Sequence, residues 1–148
     1  MRLRISILLL TVLFAPAGLA GTEETLEQLI ARAEAAHPQD RGGLYLQIAR
    51  RQADVADKFY EGGNIEAGSS AVADVVKYCG KASDTAIRSG KRLKDTEIAL
   101  RKMAESFRDL KHNLAFEDQA PVQQAIDRME KMRTELLAAM FGKKKANK

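Results

Sequence analysis

The sequence predicts an all-α protein, an antiparallel up-down helical bundle. Four long helices fall at about 40–61, 65–89, 91–115 and 119–141, behind a shorter N-terminal helix at about 22–37. Three observations carry that expectation. Apolar residues recur at steps of three and four along most of the chain, which is the period of one helix face. Helix-ending residues separate those runs, at Pro38, at Gly62-Gly63-Asn64 and at Gly90. No segment alternates apolar and polar residues strongly enough to argue for a strand.

In the first helix Thr22 can cap the start and Glu23 and Glu24 suit the positive end of the helix dipole. Leu26, Leu29, Ile30 and Ala33 form its stripe, and Pro38 ends it by pushing the preceding residue out of the α region. The second helix places Leu44, Ile48, Val55 and Phe59 on one face, widened by Tyr45, Ala49, Ala56 and Tyr60. Gly42 and Gly43 weaken its first turn. Gly62-Gly63 ends it, and Asn64 can cap the third helix, whose core face is Ala71, Val72, Val75, Tyr78, Cys79, Ala82 and Ala86.

The last two helices carry the most regular pattern. Leu93, Thr96, Leu100, Met103, Phe107, Leu110 and Leu114 form a heptad seam. Val122, Ala125, Met129, Met132, Leu136 and Ala139 repeat it, with Asp118 as the expected cap and Pro121 in the first turn. A link of only a few residues around Phe116 forces these two helices to run antiparallel. Val55, Ala56, Phe59, the Gly62-Gly63-Asn64 turn, Gly68, Val72 and Val75 resemble the hairpin of a tetratricopeptide repeat. The spacing is loosely kept and no second copy follows at about 34 residues, so the segment reads as a generic helical hairpin.

Ahead of the helices, Arg2 and Arg4 precede the apolar run Ile5–Phe14, and Gly18-Leu19-Ala20 supplies the small residues of a cleavage site. This is the pattern of a secretory signal, predicting cleavage near Ala20 (Ala17 is a second possible site) and a periplasmic or extracellular mature chain. The run is too short to span a bilayer core, which takes about 20 residues. No cysteine follows Ala20, so lipid attachment is not indicated. The expected organisation is a signal at 1–20, one helical domain at 21–141, and a basic flexible tail at 142–148.

Charge sharpens that division. The chain carries 24 Lys+Arg against 20 Asp+Glu. Removing Arg2 and Arg4 with the signal, and Lys143, Lys144, Lys145 and Lys148 with the tail, leaves 18 basic and 20 acidic groups. The helical body is therefore mildly acidic, which argues against a nucleic-acid binder. Two basic clusters could touch an anionic surface: the tail lysines, and Arg88, Lys91, Arg92 and Lys94 around the turn between the third and fourth helices. Few aromatics interleave with them, so stacking on bases is not indicated.

The residues offer little chemistry. Glu34-x-x-His37 and Asp109-x-x-His112 each set a carboxylate and an imidazole one turn apart, but a bundle metal site needs such pairs on facing helices with further inward glutamates. The heptad puts His112 on the outer face, and His37 falls in the last turn, where it can cap carbonyls. A c-type haem needs Cys-x-x-Cys-His, and Tyr78-Cys79-Gly80-Lys81-Ala82 has one cysteine and no histidine. Met103, Met129 and Met132 fit core packing. Cys79, the single cysteine, has three readings: a small buried residue, an intermolecular disulfide, or a catalytic thiolate lacking an identifiable base. Acidic groups are expected on solvated faces, and no catalytic motif is present.

The reading that follows is an exported binding or structural module without evident catalysis. No cofactor is implied. Its expected partner is another protein, a helix packing on or a second copy associating through helices 91–115 and 119–141. A cofactor or metal carrier built inside the bundle, and an enzyme with an unrecognised site, are the alternatives.

Overall fold

The computed structural model describes residues 23–142. The signal with its cleavage site near Ala20, the Thr22 cap, and Lys143, Lys144, Lys145 and Lys148 lie outside the described residues. Among the described residues the protein is all-α. Its helices are α1 (Leu26–Ala35), α2 (Arg41–Glu61), α3 (Ile65–Ser89), α4 (Leu93–His112) and α5 (Gln119–Gly142), with a 3₁₀ turn at Phe116–Asp118 and no strand.

Local chemistry sets the ends. α1 begins at a capping box: Thr25 Oγ1 accepts from Gln28 N at 3.2 Å while Gln28 Oε1 accepts from Thr25 N at 2.9 Å. That reciprocal pair makes the start later than the expected residue 22. At the other end the chain turns extended at Ala36. The orphan carbonyls there are taken by Arg41, whose Nε donates to Ala36 O at 2.9 Å and whose Nη2 donates to Glu34 O at 3.0 Å. His37, expected in that role, is exposed. A guanidinium five residues on in sequence reaches two carbonyls at once through its fork of five N–H donors, whereas a neutral imidazole has a single N–H.

The remaining turns follow the glycines and asparagines. Gly63 takes a left-handed φ of 75°, and Asn64 Oδ1 accepts from Ala67 N at 3.2 Å to start α3. Gly90 ends α3 at φ 67°, followed by Arg92 at φ 58°, a left-handed conformation unusual for a side-chain-bearing residue. α4 consequently starts at Leu93 and ends at His112, shorter at both ends than the expected 91–115. Asp118, expected as a simple cap, instead closes the 3₁₀ turn.

The helices pack in hairpins. Gly42 near the start of α2 lies beside Thr85 near the end of α3, whereas Tyr60 at the end of α2 packs on Gly68 near the start of α3. On α4 and α5, Lys111 meets Gln123 near one end and Glu97 meets Arg133 near the other. Each pair thus runs in opposite directions. Between the hairpins the main contact is α3 on α5, with smaller contacts of α3 and α2 on α4, and α1 packs on α2.

Leu29, Ile48, Val75, Cys79, Leu100, Phe107, Val122, Met129 and Leu136 are fully buried in one shared core. The α3 face is buried as the periodicity predicts. On α2 the buried line is Tyr45, Ile48, Ala49, Gln52, Ala56 and Tyr60, while Leu44 and Val55 are half-buried and Phe59 is exposed. The helix is rotated toward α3, so the flanking row of the sequence pattern becomes its centre.

Candidate functional site

The α3–α4 turn gathers the basic residues Arg88, Lys91, Arg92 and Lys94, all exposed. Three of them make contacts within the protein. Lys91 Nζ donates to Gln39 Oε1 at 3.0 Å, and Arg88 Nε donates to Asp84 O at 3.3 Å. The Arg92 guanidinium lies over Gly43, so close that a Cβ there would meet Nη1 at 2.4 Å, and it pairs loosely with Asp95 at 3.9 Å. A side chain on residue 43 would displace this guanidinium, which gives the second glycine of α2 a packing role that its place in the sequence did not show.

α5 reaches this same end. Gly80 of α3 lies next to Met132 of α5. Nine residues further along each, at a rise of about 1.5 Å per residue, Ser89 and Phe141 stand at one level. Leu137 and Phe141 are exposed, Phe141 to 61%. Two exposed apolar side chains therefore occupy the last turns of α5, at the end of the bundle that also holds the basic turn.

Between α3 and α5 runs a groove holding about 1030 Å³. Its floor is apolar, from Val72, Val76 and Gly80 on α3 and Ala125 and Met132 on α5. Its rims carry Lys77 and Lys81 on one side and Arg128 and Lys131 on the other, with Asp84 and Asp127 among them. Lys81 is engaged: its Nζ lies 3.1 Å from Glu34 Oε1 and over the rings of Tyr45 and Tyr78, at 5.2 and 5.4 Å. The Glu34 hydrogen bond holds this ammonium above its ordinary lysine value.

Cys79 sits elsewhere, at the centre of the core, with Sγ 3.9 Å from Met103 Sδ. Burial pushes its thiol up to about 12. A thiolate there is strongly disfavoured near neutral pH, and no second chain reaches the sulfur without opening the core. His37 and His112 are both exposed, and Glu34 of the first Glu-x-x-His pair is bound to Lys81. Among the described residues no group of three His, Cys, Asp or Glu side chains converges as metal ligands.

One acidic residue departs from its expected solvated place. Glu97, beside the seam residue Thr96 on α4, is buried and bound by Arg133. The heptad places residue 97 next to the seam, and only the partner arginine on α5 makes its burial tolerable.

No protein-family model matches the chain, and the comparisons with curated proteins and with solved structures give no match.

Proposed function

We propose that the chain is an exported, non-catalytic helical module that binds another protein, with α5 as its principal contact element. The observation that carries this reading is the end of α5, where Leu137 and Phe141 stand exposed on a helix otherwise packed into the core through Val122, Ala125, Ile126, Met129 and Leu136. Exposed aromatic and aliphatic side chains on a helix are the anchors by which a partner helix is held. No helix among the described residues is long and apolar enough to cross a membrane. Export rests on the Arg2, Arg4 and Ile5–Phe14 pattern ahead of Ala20.

A photo-crosslinking residue placed at Phe141 in cells tests this. A discrete adduct with one protein, or with a second copy of the chain, is the expected result. The same residue at exposed Glu105 of α4 serves as the control. Equal labelling from both positions, or no adduct from Phe141, removes the reading.

A second reading has its own observation, the common level of Phe141 and the Arg88, Lys91, Arg92 and Lys94 turn. An apolar and basic end of this kind suits an anionic lipid surface. Binding to vesicles containing phosphatidylglycerol, lost in 0.5 M salt (a Debye length of roughly 4 Å) and absent with phosphatidylcholine alone, would support it.

A further inference from the structure

We infer that the α3–α5 groove is a docking site for an amphipathic helix with acidic flanks. This inference deepens the protein-binding reading and rests on it. The groove follows α3 from Ser69 to Asp84 for about 22 Å and α5 from Pro121 to Met132 for about 16 Å, which suits a helix of about 11 to 15 residues. Ser69, Val72, Val76 and Gly80 recur at steps of three and four along one wall, and Pro121, Ala125, Arg128 and Met132 do so along the other. Two helices running side by side thus offer the seat of a third.

The occupant's chemistry follows from the floor and the rims. Val72 and Ala125 are buried, but Val76 and Met132 are half-buried and Ala73 is exposed, so the floor lies partly in water. Such a trough half-buries what it holds. An acyl chain would keep one side wet, whereas an amphipathic helix has one apolar face to bury and one polar face to leave out. Methionine on the floor adapts to varied side chains.

Lys77, Arg128 and Lys131 are exposed and make no ion pair among the described residues. Lys77 Nζ lies 5.5 Å over the Tyr78 ring. With Gly80 level with Met132, all three cations fall within about one turn of that level, one on α3 and two on α5. Asp127 is engaged by Gln123 Nε2 at 2.8 Å, which leaves Asp84 as the one rim acid without a side-chain partner among the described residues. The complementary ligand carries acidic groups along both flanks.

Gly80 is the second, independent sign. Glycine inside a helix is less stable than alanine by about 1 kcal/mol. Gly68 has a packing reason, because a Cβ there would meet the Tyr60 ring at 2.9 Å. Gly80 has none: its Cβ would meet only Met132 Cε, at an ordinary 3.6 Å. A mid-helix glycine at the floor of a groove, where a Cβ would make only one ordinary contact, suits the close approach of another backbone.

The test is selection from a displayed library of 16-residue helical peptides against the full chain. Enrichment of peptides with an i, i+3, i+7 apolar stripe and Asp or Glu on both flanks is expected. The Lys77→Glu, Arg128→Glu, Lys131→Glu triple variant should bind those peptides at least about a hundredfold more weakly. It should regain affinity for the same peptides with Lys flanks. Gly80→Leu should weaken binding about tenfold or more, and Gly80→Ala should raise the thermal midpoint by about 4 °C.

No enrichment, enrichment of neutral or basic flanks, or a lowered midpoint for Gly80→Ala overturns the proposal. So does binding only to phosphatidylglycerol vesicles that depends on the same three cations. Crosslinking from Phe141 is read separately. A partner trapped there without peptide enrichment keeps the protein-binding reading and removes the groove.

Discussion

Arg133 on α5 donates from both Nε and Nη2 to a single carboxylate oxygen, Oε1 of Glu97 on α4, at 3.0 and 2.7 Å. Its Nη1 turns the other way to Glu130 Oε2 at 2.7 Å, and Glu130 in turn accepts from Arg108 at 2.5 Å. Two α4 and two α5 side chains thus form one alternating chain of charge across the hairpin. The Glu97 and Arg133 side chains are only 11% and 19% exposed, so this is a nearly dry ion pair at the edge of the core.

Breaking that pair from one side leaves a buried charge alone. Arg133→Ala should cost about 2–3 kcal/mol in urea unfolding, more than a surface pair would. Glu97→Leu combined with Arg133→Met should come within about 1 kcal/mol of the native protein, because the desolvation cost disappears with the charges. A double-mutant cycle on the unfolding midpoints measures the coupling.

Two of the glycines that face side chains, Gly68 and Gly43, should respond in opposite ways. Gly68→Ala sets a Cβ 2.9 Å from the ring of Tyr60, a buried side chain rather than the end of a flexible exposed one, and should destabilise by about 1–3 kcal/mol. Gly43→Ala meets the Arg92 guanidinium, the far end of an exposed side chain that can swing away. Its gain in helix propensity should leave stability unchanged or up to about 1 kcal/mol higher. Thermal unfolding of the two variants decides both.

Cys79 should make the protein sensitive to alkali. Burial raises its thiol from 9.0 to about 12, so above pH 9 the unfolded chain releases a proton that the folded chain keeps. The stability contribution is complete below pH 9 and is lost as pH rises toward 12, at up to about 1.4 kcal/mol per pH unit. Cys79→Ala lacks this slope. Its deficit at pH 8, about 1 kcal/mol from the lost sulfur, should shrink or reverse by pH 11 when both proteins are unfolded in urea.

Arg41 should hold α1 in place without supporting the rest. Arg41→Ala frees the carbonyls of Glu34 and Ala36 and should cost about 1 kcal/mol. Hydrogen exchange should show amides of 26–35 losing protection while those of α3 and α5 keep theirs. Arg51 of α2, which donates to the Glu24 carbonyl, and the pair of Lys81 on α3 with Glu34 would keep α1 docked, so its helicity should fall only in part.

What the sequence by itself determined is the helical class, the α3 face, the α2–α3 and α3–α4 turns and the α4 seam. Each of these depends on neighbours along the chain: a period of three to four, a glycine in a left-handed turn, an asparagine three residues before the N–H it accepts from. Even the Thr25 cap belongs to this local chemistry, although Thr22 stands in an equally plausible place. Only the tertiary structure decided which row of α2 faces inward, that Glu97 is buried, that Arg41 rather than His37 closes α1, and that α3 and α5 leave a groove between them. These outcomes join residues from 5 to about 55 positions apart in the chain, such as Ala36 with Arg41, Glu97 with Arg133 and Gly80 with Met132. The periodicity of a helix names its apolar face, but the direction from which a second helix approaches sets where that face ends, and which charged side chain at its edge is dry.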